Sequence, residues 1–150
     1  MKLTFKNVKI HPDMSEETDC FSATIYADGK KAGTVKNDGR GGCHMYYWFD
    51  RALGTQIEAW AKTQPGQYNV LNRLDEIIDN MLTKQEILQQ LKRWTKKDTV
   101  TAFRLKGDEK GTWRLHKVSY NAQILAILQN KFGSQLECVA NQDLEAACSF

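Results

Sequence analysis

The sequence predicts an α+β fold: an N-terminal antiparallel β-meander, central amphipathic helices, and a C-terminal β-hairpin followed by a helix. Three observations predict it. Phe21, Ala23, Ile25 and Ala27 alternate strictly with Ser22, Thr24 and Tyr26, the period-two signature of a half-buried strand. Apolar residues then recur at helical spacing from Leu53 to Trp94. Alternation returns in two runs, 99–105 and 112–118, separated by a glycine-bounded turn. Strands, then helices, then a hairpin and helix make an α+β order rather than an alternating β-α-β one.

The elements follow in turn. Leu3, Phe5, Val8 and Ile10 read as a strand whose phase breaks near Asn7. His11-Pro12-Asp13 and the acidic run Ser15 to Asp19 read as a solvated loop. After the strand ending at Ala27, Asp28-Gly29 suits a type I′ hairpin turn, and Lys31 to Lys36 forms the return strand. Cys43 to Phe49 is aromatic enough for a fourth strand or a short packed segment. Leu53, Ile57, Trp60 and Ala61 stripe a helix from about Asp50 to Lys62, stopped by Pro65-Gly66. Leu71, Leu74, Ile77, Ile78 and Met81 stripe a second helix. Thr83-Lys84-Gln85-Glu86 has the form of a capping box and predicts the start of a third, with Ile87, Leu88, Leu91 and Trp94 buried. In the last third, Ile124 to Phe132 predicts a helix stopped by Gly133. Leu136 to Val139 reads as a short edge strand, and Asp143 to Cys148 as a terminal helical turn.

At 150 residues and 41% hydrophobic, the chain reads as one domain, residues 1–150, with room for a core. No apolar run approaches the roughly 18 residues that span a bilayer. Met1 to Lys6 alternates and lacks the apolar heart of a signal peptide, so a cytoplasmic protein without membrane contact is expected. The four cysteines, Cys20, Cys43, Cys138 and Cys148, are scattered, which predicts free and mainly buried thiols. Neither metal nor cofactor is expected, because zinc sites draw on closely spaced ligand pairs and Cys43 and His44 would point to opposite faces of a strand. No catalytic residues stand out. His11, His44 and His116 lie in unrelated contexts, with no metalloprotease, nucleophile-elbow or carboxylate-pair motif.

The richest stretch is Asn37-Asp38-Gly39-Arg40-Gly41-Gly42-Cys43-His44. A two-residue hairpin turn needs one or two positive-φ residues, so three glycines around an arginine specify a longer turn or a binding loop. Successive N–H groups can cradle an anion, with Arg40 adding a bidentate contact. The loop lacks the lysine and hydroxyl that end a P-loop. Beside it, Tyr46, Tyr47, Trp48 and Phe49 offer anchors for a partner, and no single core can take four consecutive extended side chains. Asp38, Gly39, Arg40, Gly41, Gly42, His44, Tyr46, Tyr47 and Trp48 are therefore the candidate binding residues.

The second candidate is charge. Net charge is +3, but residues 83–117 hold ten Lys/Arg against four Asp/Glu. If the hairpin presents one basic face, Lys92, Arg93, Lys96, Lys97, Arg104, Lys106, Arg114 and Lys117 would meet phosphates. On a strand Arg104 and Lys106 share a face, as do Arg114 and His116, and Trp113 falls on the opposite parity, which weakens its use as a stacking platform.

The run Cys20 to Gly29, CFSATIYADG, together with Asn37 to Gly42, NDGRGG, resembles a segment of small uncharacterised proteins from phages and mobile elements. The resemblance implies a setting rather than residue roles: an accessory protein in the host cytoplasm that inhibits a defence system. Such proteins cap a host protein or sequester a nucleotide signal. The leading expectation is thus a non-catalytic protein that binds a host protein through the glycine loop and its aromatics. Nucleic-acid binding through 92–117 and sequestration of a nucleotide signal by 37–44 stand as alternatives. Partner identity and oligomeric state are not legible in the sequence.

Overall fold

The computed structural model describes residues 1–148. The chain divides into two compact units, Met1–Met81 and the residues from Leu82 onward. Among the described residues, the strands form two antiparallel sheets, as the α+β reading expects.

In the first unit, β1 (Leu3–Ile10), β2 (Cys20–Ala27), β3 (Lys30–Asp38) and β4 (Met45–Trp48) lie in the order β1-β2-β3-β4, a meander. The phase break in β1 is a bulge: pairing with β2 shifts between Lys6 and Lys9, where Asn7 takes φ 53°. The Asp28-Gly29 turn has φ 48° and 80°, both positive as a type I′ turn demands. Period-two alternation then sends Phe21, Ala23, Ile25 and Val35 to one face, where all are buried. Side chains the size of Phe21, Ile25 and Val35 each contribute roughly 1.5–3 kcal/mol when buried.

Helix α1 (Arg51–Lys62) packs on β3 and β4. Its N-terminus is capped by Asp50, whose carboxylate accepts from the Ala52 and Leu53 N–H groups, and this holds the Asp50 carboxyl below its ordinary range. Ile57 and Ala61 are its buried stripe. The Trp48 indole lies between two glycines. A Cβ on Gly33 would stand 2.8 Å from Trp48 Cε3, and one on Gly54 of α1 would stand 2.4 Å from Trp48 Cγ.

The two helices expected across 71–94 are one: α2 runs unbroken from Arg73 to Thr95. Thr83 lies in mid-helix, so the capping-box pattern there marks no start. No Gly or Pro interrupts residues 73–95, and without a breaker nothing ends the ladder. The pattern misleads because the buried stripe changes phase. Leu74, Ile78 and Leu82 share one face, while Leu91 lies nine residues beyond Leu82, about half a turn round the helix.

In the second unit, β5 (Thr101–Leu105) is the central strand, with β6 (Arg114–His116) and β7 (Leu136–Val139) on its two sides. The predicted strand 112–118 is thus shorter than expected, and β7 is the short edge strand expected there. Helix α3 (Ala122–Phe132) is capped by Asn121 and stops at Gly133, φ 51°. The terminal turn α4 (Leu144–Ala147) is capped by Asp143. Phe103 and Leu105 pack with Leu128 and Val139, and Ala102 packs with Leu91, Ala140 and Ala147. Strand β5 is therefore buried on both faces.

Candidate functional site

The glycine loop is organised around one buried amide. Asn37, 3% exposed, uses Oδ1 to accept from Thr18 Oγ1 (2.7 Å) and from the Gly39 N–H (2.9 Å), an Asx turn. That fixes the amide orientation, so Nδ2 donates to the Gly42 carbonyl (3.2 Å) and faces His44 Nδ1 (3.1 Å). Thr18 Oγ1 in turn accepts from the Gly41 N–H (3.2 Å). The Gly39 carbonyl accepts from the Glu16 and Glu17 N–H groups at 2.9 and 3.0 Å. The surplus of glycine thus clasps the acidic loop 11–19.

Gly39, Gly41 and Gly42 all have φ between 82° and 90°, a region closed to most side chains. At Gly39 space is also closed, since a Cβ would stand 2.3 Å from the Met14 carbonyl oxygen.

His44 ties this loop to α2. With Nδ1 accepting from Asn37, the ring proton sits on Nε2 and is donated to Asp79 Oδ1 at 2.9 Å. The His44 N–H donates to Asp75 Oδ2 (3.1 Å), and the Tyr46 hydroxyl donates to Asp75 Oδ1 (2.6 Å). The imidazole also packs edge-on to Phe21, with ring centres 5.0 Å apart. Burial and the Asp75 carboxylate push the Tyr46 hydroxyl far above the ordinary tyrosine range. Both His44 nitrogens are engaged within the protein, which leaves neither for a substrate proton.

Two features of the loop weigh against an anion cradle. The Gly39 and Gly41 N–H groups are already spent on Asn37 and Thr18. Arg40 is exposed, and the cleft it lines also presents the Asp13, Glu16 and Asp38 carboxylates, which repel a phosphate. Among the described residues, no group of three His, Cys, Asp or Glu side chains is placed to hold a metal ion, and no helix is long and apolar enough to cross a membrane.

Strand β4 separates the aromatic run. Tyr46 and Trp48 face inward and stack at 5.5 Å, with the Trp48 Nε1–H donated to Glu58. Met45, Tyr47 and Phe49 are exposed, Tyr47 by 68%. Register places them at one margin of the sheet's outer face. Lys9, Ser22, Lys36 and Met45 line up across the strands as one row. Lys6, Thr24, Thr34 and Tyr47 form the next. Thr4, Tyr26 and Lys31 form a third, with the Lys31 ammonium 4.8 Å from the Phe49 ring centre. Lys6 lies over the Tyr26 ring at 4.6 Å. These lysines were missed in the sequence, although their alternation with Phe5, Ile10 and Val35 was the available signal.

The segment 92–117 does not assemble the expected face. Arg104 is buried, donates to Glu137 (2.6 Å) and lies 5.0 Å from the Trp113 ring centre. Arg114 pairs with Phe103 across the hairpin, so Arg104 and Arg114 occupy opposite faces. Arg114 also makes a two-pronged bond to Asp108 (2.7 and 2.8 Å), which holds the Asp108 carboxyl at about 2. Lys92, Arg93, Lys96, Lys97, Lys106 and Lys117 are exposed. Of the cysteines, Cys20 and Cys148 are buried, Cys138 is half-buried and Cys43 is exposed; burial raises the Cys138 and Cys148 thiols.

No protein family, curated protein or solved structure matches this chain. Any functional reading therefore rests on the site itself.

Proposed function

We propose that this chain is a non-catalytic binding protein whose contact surface is the outer face of the β1–β4 sheet. The observation that carries it is the pairing register, which puts the exposed Lys6, Lys9, Lys31 and Lys36 on one face around a buried Thr24, with Tyr47 and Phe49 at its margin. Among the described residues no ion pair joins these lysines to a carboxylate; Lys6 and Lys31 lie over the Tyr26 and Phe49 rings, which leaves their charge uncompensated. The glycine loop has a supporting role, since its polar groups are turned on Thr18 and His44. A host protein, the partner expected of a phage-type inhibitor, is the second reading, and the exposed Met45, Tyr47 and Phe49 favour it.

Native mass spectrometry of the purified protein, with its absorbance ratio, reports a bound partner or nucleotide directly. Lys36→Glu with Tyr47→Ala is expected to lose that partner, and Arg40→Ala to keep it. The reverse pattern would return the contact to the glycine loop and refute the proposal.

A further inference from the structure

We infer that the occupant of this face is a single-stranded nucleic acid, an inference that rests on the outer face being the contact surface. The chemistry of the rows points to it. On β3, Lys31 places its ammonium 4.8 Å from the Phe49 ring centre, and Lys36, paired with Met45, lies one strand and one row from Tyr47. Strands stand about 4.8 Å apart and rows about 6.8 Å, so a flexible lysine on β3 reaches the phosphate of a base stacked on the open face of either ring. Lys6 and Lys9 on β1 add charge on the far side, and the Ser22 and Thr34 hydroxyls lie between.

Successive rows repeat about every 6.8 Å along the strands, a step that a stretched sugar–phosphate backbone can follow. Within the three rows no outward position carries a carboxylate; Asp38 comes one row further, opposite Cys20. A protein partner fits this pattern less well, because interface centres are depleted of lysine whereas single-strand sites combine lysines with exposed rings. A duplex fits less well too, since its bases are already stacked and cannot use Tyr47 or Phe49.

Fluorescence anisotropy on the full chain tests this with three probes: a labelled thymidine oligonucleotide of about 12 nucleotides, a duplex of the same length, and polyglutamate as a peptide polyanion. The oligonucleotide is expected to bind tightest, with log affinity falling against log salt at a slope of about −3 for four engaged lysines. Lys6→Glu with Lys36→Glu should weaken all binding and flatten that slope by roughly 1.4. Tyr47→Ala and Phe49→Ala should each cost at least about fivefold for the oligonucleotide and nothing for polyglutamate, with the melting temperature unchanged.

Absent oligonucleotide binding, or binding that ignores both ring substitutions, overturns the nucleic-acid inference. If the lysine variant still loses polyglutamate or a co-purified protein, the face itself survives as the contact surface. If oligonucleotide binding is lost only with Lys96→Glu and Lys97→Glu, both the inference and the outer-face reading fall.

Discussion

Replacing Asn37 with alanine tests whether the glycine loop is a clasp. The substitution removes two bonds accepted by Oδ1, from Thr18 and Gly39, and two contacts made by Nδ2, to Gly42 and His44. At about 1 kcal/mol net per bond the loss is about 4 kcal/mol. Water reaching the loosened loop recovers part of it, so about 3 kcal/mol is expected. His44 Nδ1 keeps the largest share of the cost, because its side chain is 6% exposed and gains no new donor. Against a typical domain stability of about 5–15 kcal/mol this is a large fraction.

Urea unfolding should show the lower midpoint, and the melting temperature should fall by about 6–12 °C. Exchange of the Gly39 and Gly41 amide protons should accelerate by about a hundredfold. Asp38→Ala, at the exposed neighbour, should stay within about 0.5 kcal/mol of the parent. The Asn37→Ala/Thr18→Ala double mutant should show a coupling of about 1 kcal/mol, since the two side chains bond each other at 2.7 Å. An Asn37→Ala protein that stays within 1 kcal/mol of the parent would refute the clasp.

Two further outcomes follow from the same geometry. Gly39→Ala should destabilise by about 3 kcal/mol or more, because strain at φ 82° adds to a 2.3 Å clash with the Met14 carbonyl. Gly42→Ala, at φ 89° but facing open space, should cost only about 1 kcal/mol in the same urea titration. The Asp108 carboxyl, lowered first by its bond from Arg114 and then by the Leu105 N–H, should titrate by NMR at about pH 2. Because its folded pKa is depressed, its contribution to stability is present above the ordinary carboxylate range and fades as pH falls toward 2; Arg114→Ala should move the midpoint upward.

Much of the fold was legible because local chemistry and tertiary environment agree there. The alternation 21–27, the Asp28-Gly29 turn and the Asn7 phase break each express a backbone constraint that neighbours along the chain already impose. The misread helix boundary at Thr83 had no such agreement: a capping pattern appeared without a breaker before it, and propagation of an existing helix is easier than starting a new one. The single basic face of the hairpin does not form for a different reason. Arg104 carries the same charge in the sequence whether it faces water or Glu137, and only the central place of β5 between β6 and β7 decided which.

Residue types and spacing by themselves determined that this protein is α+β, begins with a meander, and concentrates glycine and aromatics between Asn37 and Phe49. Pairing across the sheet decided how that region is built. The glycines satisfy a buried Asn37 that bonds Thr18, nineteen positions away, and the aromatics divide between an inner stack and an outer margin. Lysines on two separate strands, β1 and β3, become one face because strand register sums charges that sequence distance keeps apart.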